Sequence, residues 1–180
     1  MKKALVNIDY TNDFVNGALP VGQPALQVEK EIVTITKRAY ENGDFIVFAI
    51  DLHEHADFFH PETTLFPPHN LRGTNGRELY GELAHVYNTI KASDQICWID
   101  KTRYSAFAGT NLDIKLRERN ITEIELVGVC TDICVLHTAI DAYNHGYKVT
   151  VYTDAVASFN EAGHQFALQH IRDVLNGTIL

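Results

Sequence analysis

"LVGVCTDICVLHTA", residues 126–139, changes period midway: an apolar run of strand type up to Val129 gives way to apolar residues at helical spacing from about Thr131. A strand that feeds straight into a helix is the building unit of an alternating β/α chain. Working outward, short β-rich runs recur as "ALVNI" (4–8), "FIVFAI" (45–50), "QICWI" (95–99), "EIELVGV" (123–129) and "KVTVYT" (148–153). Helical patterns fall between them, which implies a parallel sheet. Three of the runs are almost continuously apolar, as strands covered on both faces are. The expected fold is therefore α/β: a doubly wound, mostly parallel sheet of five or six strands with helices on both faces, one domain over 1–180. The final "NGTIL" is either a last edge strand or a frayed end.

The first long helix is expected within 22–42, where Ala25, Val28, Ile32, Ile35 and Ala39 repeat at three and four residues before Asn42-Gly43 stops it. A second is expected from Thr110, as N-cap, to about Asn120. A third covers about 131–145 with Ile133, Leu136, Ile140 and Tyr143 as its apolar stripe and Gly146 beyond it. A fourth runs from about Asn160 to Leu175. Residues 51–94 read differently, with Pro61, Pro67 and Pro68, dense His and aromatic residues, and little periodicity. Such a long loop in a compact domain is usually functional. Ligands of open parallel sheets bind beyond the carboxyl ends of the strands. Asp9, Asp51, Lys101 and Cys130 all stand at such ends, so four strands direct chemistry to one edge.

The 15 Lys and Arg against 23 Asp and Glu give a net charge of −8 with no basic cluster, which argues against nucleic acid as a partner. No run approaches the roughly 18–20 apolar residues that span a bilayer, and the N-terminal residues lack a signal-peptide pattern, so a soluble, cytoplasmic protein without a membrane partner is expected. Three cysteines fit a reducing compartment and no disulfide.

Cys130 and Cys134 have three residues between them, one too many for a thioredoxin-type redox pair, and a cysteine zinc site needs more ligands at paired spacing. Cys97 and Cys130 read as packing residues. Cys134 falls in the first turn of the third helix, where unpaired amides favour a thiolate and are able to hold an oxyanion. Its general base is not His137, which is three residues along the same helix in poor geometry for proton transfer. Asp9 and Lys101, at strand ends, are the candidates, though either taken alone reads first as part of a surface ion pair. A carboxylate beside an ammonium and a thiol feels opposing shifts, downward from the charge and upward from desolvation.

"NIDYTNDF" (7–14), "IDKTRYSAF" (99–107) and "GVCTDICV" (128–135) resemble, in order and over nearly the whole chain, the motifs of the isochorismatase-like cysteine hydrolases, most closely the nicotinamidases or pyrazinamidases. The resemblance implies a catalytic triad of Asp9, Lys101 and Cys134, a cis peptide at Val129–Cys130, and an oxyanion hole from the backbone N–H groups of Cys130 and Cys134. Within "IDLHEHADFFHPETTLFPPHN" (50–70) it implies one divalent metal ion, zinc first with iron or manganese as alternatives. Asp51, His53 and His69 are its implied ligands, with Glu62 as the fourth and His60 as the competitor. An Asp-x-His pair places both side chains on one side only where the chain stays extended. Taken singly, His55, His60 and His69 read as solvent-facing; the set of spacings carries the metal reading.

The implied reaction is deamidation of nicotinamide to nicotinic acid, or of pyrazinamide to pyrazinoic acid, through a thioester. The metal would hold the ring nitrogen, and Phe14, Leu19, Phe66, Tyr104 and Val129 would contact the substrate. Any of these is equally at home in a core. Relatives of this kind are often homo-oligomers. The rival readings are an isochorismatase, a carbamoyl or ureidoacrylate amidohydrolase, and a non-catalytic binding module on the same fold.

Overall fold

The computed structural model describes residues 2–180 and places all six of its strands in one sheet. These are β1 (Lys2–Ile8), β2 (Phe45–Asp51), β3 (Ile96–Lys101), β4 (Ile121–Val129), β5 (Lys148–Ala157) and β6 (Thr178–Ile179). Their order is β3-β2-β1-β4-β5-β6, and every neighbouring pair is parallel. The "NGTIL" end thus supplies a two-residue edge strand. The chain winds outward in one direction from β1 and in the other from β4, so the topological switch point lies between these two central strands.

The helices are α1 (Asn12–Val15), α2 (Gln23–Glu41), α3 (Gly81–Ile90), α4 (Leu112–Glu118), α5 (Leu136–Asn144) and α6 (Glu161–Asp173). Strand alternation divides the core between them: Ile46, Phe48 and Ile50 of β2 face α2 and α3, while Val47 and Ala49 face the side of α4, α5 and α6. Both faces of the sheet are covered. The expected stripe of Ala25, Val28, Ile32, Ile35 and Ala39 is buried along α2.

Three sequence expectations need correction. Residues 81–90 were expected to be part of a long loop but form α3, with Leu83, Val86 and Ile90 buried. Its start lacks a local side-chain cap. A carboxylate oxygen of Glu29, on α2, instead accepts the amide of Glu82 at 2.9 Å, so the start signal is tertiary. The helix expected from Thr110 begins at Leu112 with Asn111 as its cap residue; the Thr110 hydroxyl accepts the Leu112 amide at 3.2 Å and donates to the Ala106 carbonyl at 2.6 Å. On α5 the buried residues are Leu136, Thr138, Ala139 and Ala142, while Tyr143 is 49% exposed. Small residues let α5 approach the strands closely, and the larger Ile140 and Tyr143 are displaced toward its flank.

Candidate active site

Asp9, Asp51 and Lys101 each close or follow a strand at the same edge of the sheet. Register pairs Asp51 with Lys101 across β2 and β3. Asp9, just past β1, has φ +53°, and its carbonyl accepts the Thr11 amide at 2.8 Å. One Asp9 carboxylate oxygen accepts the Asp51 amide at 2.7 Å, while the other lies 2.7 Å from the Lys101 ammonium. Lys101 Nζ also lies 3.4 Å from Asp51 Oδ1 and 3.5 Å from Cys134 Sγ, and donates to the Arg103 carbonyl at 3.3 Å. Lys101 and Asp9 have no exposed surface.

Cys134 arrives from the other side of the switch point. Gly128, with φ +117°, lets β4 pass so close to β1 that a Cβ there would stand 2.0 Å from the Ile8 carbonyl oxygen. The Val129–Cys130 peptide is cis. Thr131–Val135 then form a wide π-type turn that leads into α5. Within it the Cys130 carbonyl accepts the amides of Ile133 and Val135, both at 3.1 Å, and the Cys134 amide between them is not among its donors.

The electrostatics of the cluster differ from the expectation that a helix start makes Cys134 a thiolate. Burial pushes the Cys134 thiol well up, Lys101 opposes this, and Asp9 and Asp51 add to it. Burial also raises Asp9, outweighing the ammonium beside it. Asp51 goes the other way: burial would raise it, but Lys101, His53 and His69 hold it well below the usual carboxylate range. Lys101 keeps its proton despite burial because Asp51 and Asp9 flank it. The resting site therefore pairs a thiol with an ammonium and a carboxyl group of raised proton affinity. Burial also raises the thiols of Cys130, which is nearly inaccessible, and Cys97. All three cysteines are unpaired.

Beside the triad, one donor atom from each of Asp51, His53, Glu62 and His69 lies within 4.8 Å of the others, a group able to hold a metal ion. Beyond β2 the chain stays extended: the His53 amide donates to the Asn70 carbonyl at 3.1 Å, and the His53 carbonyl accepts the Arg72 amide at 2.9 Å. His53 Nε2 stands 2.8 Å from Asp51 Oδ2. His69 is held through Nδ1 by the Pro67 carbonyl at 2.8 Å. That leaves its buried Nε2 without a hydrogen-bond partner, 3.5 Å from Asp51 Oδ2 and 3.7 Å from Glu62 Oε2. Burial lowers the proton affinity of His69, but Asp51, the Pro67 carbonyl and Glu62 raise it more, so the space at Nε2 favours positive charge, which a bound cation would supply. Burial and Asp51 raise Glu62, a strain on two carboxylates that a cation relieves. His60, the competitor, packs its ring against that of His53 with centroids 4.5 Å apart, but both its nitrogens are engaged elsewhere: Nε2 meets the Thr102 carbonyl at 2.8 Å and Nδ1 accepts the Glu62 amide at 3.3 Å.

A narrow cavity of about 10 Å³ joins the metal-capable group to the thiol. Phe14, Leu19, Phe66 and Tyr104 line it, as do Ile133 and Phe159, which the sequence reading did not single out. By spacing Ile133 belongs to the helix stripe, and Phe159 sits between β5 and α6 without a motif around it. Val129 is not at the cavity; its side chain is buried in the core facing α2, and only its backbone borders the nucleophile turn. A larger hollow of about 270 Å³ opens on the outer side of His53, Glu62 and His69 and does not reach Cys134.

A thiol, an ammonium and a carboxyl meet at the switch point of a β3-β2-β1-β4-β5-β6 sheet, the set of groups that a cysteine hydrolase needs. The chain belongs to the isochorismatase family, whose domain matches residues 3–179. It is 53% identical over 181 residues to the isochorismatase family protein PncA of Bacillus subtilis, covering 99% of each chain. Its structure is similar to that of nicotinamidase/pyrazinamidase PncA from Bacillus subtilis, with a TM-score of 0.97, 56% identity and 99% of each chain covered. It is also similar to the pyrazinamidase of Pyrococcus horikoshii in complex with zinc, with a TM-score of 0.87, 25% identity, and coverage of 100% of this chain and 99% of that one.

Proposed function

We propose that this chain is a nicotinamidase, a hydrolase that converts nicotinamide and pyrazinamide to the corresponding acids and ammonia. The observation that carries the reading is the single buried ammonium of Lys101 in reach of the Asp9 carboxylate, the Asp51 carboxylate and the Cys134 sulfur. Similarity to the Bacillus subtilis nicotinamidase/pyrazinamidase over the whole chain supports the substrate class.

In this mechanism Asp9 takes the Cys134 proton while Lys101 holds the resulting thiolate and stays charged. The sulfur attacks the carboxamide carbon, and the backbone N–H groups of Cys130 and Cys134 receive the oxyanion. The C–N bond breaks as Asp9 returns the proton to the amine, ammonia leaves, and a thioester to Cys134 remains. Water then gives a proton to Asp9 and attacks the thioester, releasing the acid and regenerating the thiol. Phe14, Leu19, Phe66 and Tyr104 pack against the ring. Asp51, His53, Glu62 and His69 hold one divalent ion. Mixed carboxylate and imidazole donors suit zinc, iron or manganese, and zinc is the ion in the Pyrococcus horikoshii protein. When bound, that ion supplies a Lewis acid for the ring nitrogen.

Residues 1–180 act as one hydrolase domain, in line with the family match over 3–179. The partner is a small molecule, with no nucleic acid, given the −8 charge. Among the described residues no helix is long and apolar enough to cross a membrane, and we assign the enzyme to the cytoplasm. Exposed Tyr143, Phe166 and Val174 on and just after α5 and α6 offer a face for a homo-oligomer, which sedimentation would read. The deciding assay is ammonia release from nicotinamide and pyrazinamide by the purified protein. Turnover of both is expected, and activity confined to carbamoyl compounds would overturn the substrate assignment.

A further inference from the structure

Phe159 stands at the rim of the ring cavity, 47% exposed, on the short link between β5 and α6. A half-exposed phenylalanine on a free loop would be a poor wall, but this link is fastened to the turn that carries Cys134. Ser158 Oγ donates to Asp132 Oδ1 at 2.6 Å and accepts the Asn160 amide at 3.3 Å. Asn160 caps α6 by accepting the Gly163 amide at 3.1 Å. A Cβ on Gly163 would stand 2.0 Å from Asp132 Oδ2, so the start of α6 closes directly onto that carboxylate. At the next residue, His164 Nδ1 meets the buried Thr131 hydroxyl at 2.8 Å. Ser158, just before Phe159, is therefore bound to Asp132, and His164, five residues after it, to Thr131, two and three positions before the nucleophile.

Resting on the amidohydrolase reading above, we infer that Phe159 is a specificity-determining wall of the ring cavity, and that Asp132 is the positioning residue that sets its distance from Cys134. The wall is apolar and aromatic. It faces a flat neutral heteroaromatic ring favourably and gives nothing to a charged carboxylate, which selects heteroaromatic carboxamides over anionic carbamoyl compounds. Because the latch joins wall and nucleophile turn, ring fit and sulfur position are set together.

The test compares wild type, Phe159→Ala, Phe159→Leu and Asp132→Ala on nicotinamide and on a series of ring-methylated nicotinamides, with thermal melts to verify folding. Phe159→Ala is expected to raise KM for nicotinamide about tenfold with a smaller change in kcat, and to raise the relative kcat/KM of the bulkier analogues. Phe159→Leu should recover most of the lost binding. Asp132→Ala should shift the analogue preference in the same direction while Phe159 is still present, which general damage to the turn would not do. An unchanged KM and analogue profile in Phe159→Ala overturns the wall, and an unchanged profile in Asp132→Ala overturns the latch. Absence of nicotinamide turnover by wild type would instead overturn the function reading, and this inference with it.

Discussion

Lys101 holds its charge with no exposed surface, between two carboxylates and a thiol. Replacing it with methionine leaves Asp9 and Asp51 buried without their shared cation. Breaking a buried pair in this way costs about 3–5 kcal/mol, so Lys101→Met should lower stability by that order in urea unfolding as well as abolish ammonia release. A wild-type unfolding midpoint for that variant would show that the ammonium is not what allows the two carboxylates to be buried. Cys134→Ala has a different expected profile, with turnover down by at least about 10⁴-fold and little change in melting temperature. Cys130→Ala should retain measurable activity, because the mechanism uses only its backbone. Equal inactivation by both would undo the choice of nucleophile. The choice itself rests on the residues: a cysteine in the first turn after a strand has a nucleophile's position. Its raised proton affinity was not legible there, because burial and two carboxylates from other strands, far away in the chain, push the thiol up against the opposing charge of Lys101.

The strand that delivers Cys134 depends on one glycine. At Gly128 a side chain would need φ +117° and would meet the Ile8 carbonyl. Gly128→Ala should therefore cost at least about 1–3 kcal/mol, read as a fall of roughly 2–12 °C in melting temperature, and should reduce turnover because β1 and β4 carry Asp9 and the nucleophile turn. An unchanged melt would mean that the two strands can separate without loss. Elements with a strong period, β1 to β5 and α2, were legible because each repeats its apolar residues often enough to stand out from its neighbours. α3 was not. Its ten residues carry only three buried apolar positions, its start is capped by Glu29 from another helix, and the proline-rich stretch before it hides the change of period.

For the molecule as a whole, bound metal and folding should be coupled, because Asp51 and His69 belong both to the metal-capable group and to the packed edge of the sheet. Chelation should lower the melting temperature as well as nicotinamide turnover. His69→Ala should reduce metal content measured by elemental analysis, whereas His60→Ala should keep it. Exhaustive metal removal that left both the melt and turnover unchanged would overturn the ligand assignment. The chain order of apolar runs, with the turn residues between them, determined by itself that this is an alternating β/α protein with its chemistry at the carboxyl ends of the strands, since periodicity and strand ends are local properties. Only the tertiary structure decided which side chains share one buried volume: that His60 is spent on Thr102, that Val129 faces the core, and that Phe159 is tied down beside Cys134. Those outcomes depend on distances between residues far apart in the chain, and such distances exist only once the sheet has closed its order around β1 and β4.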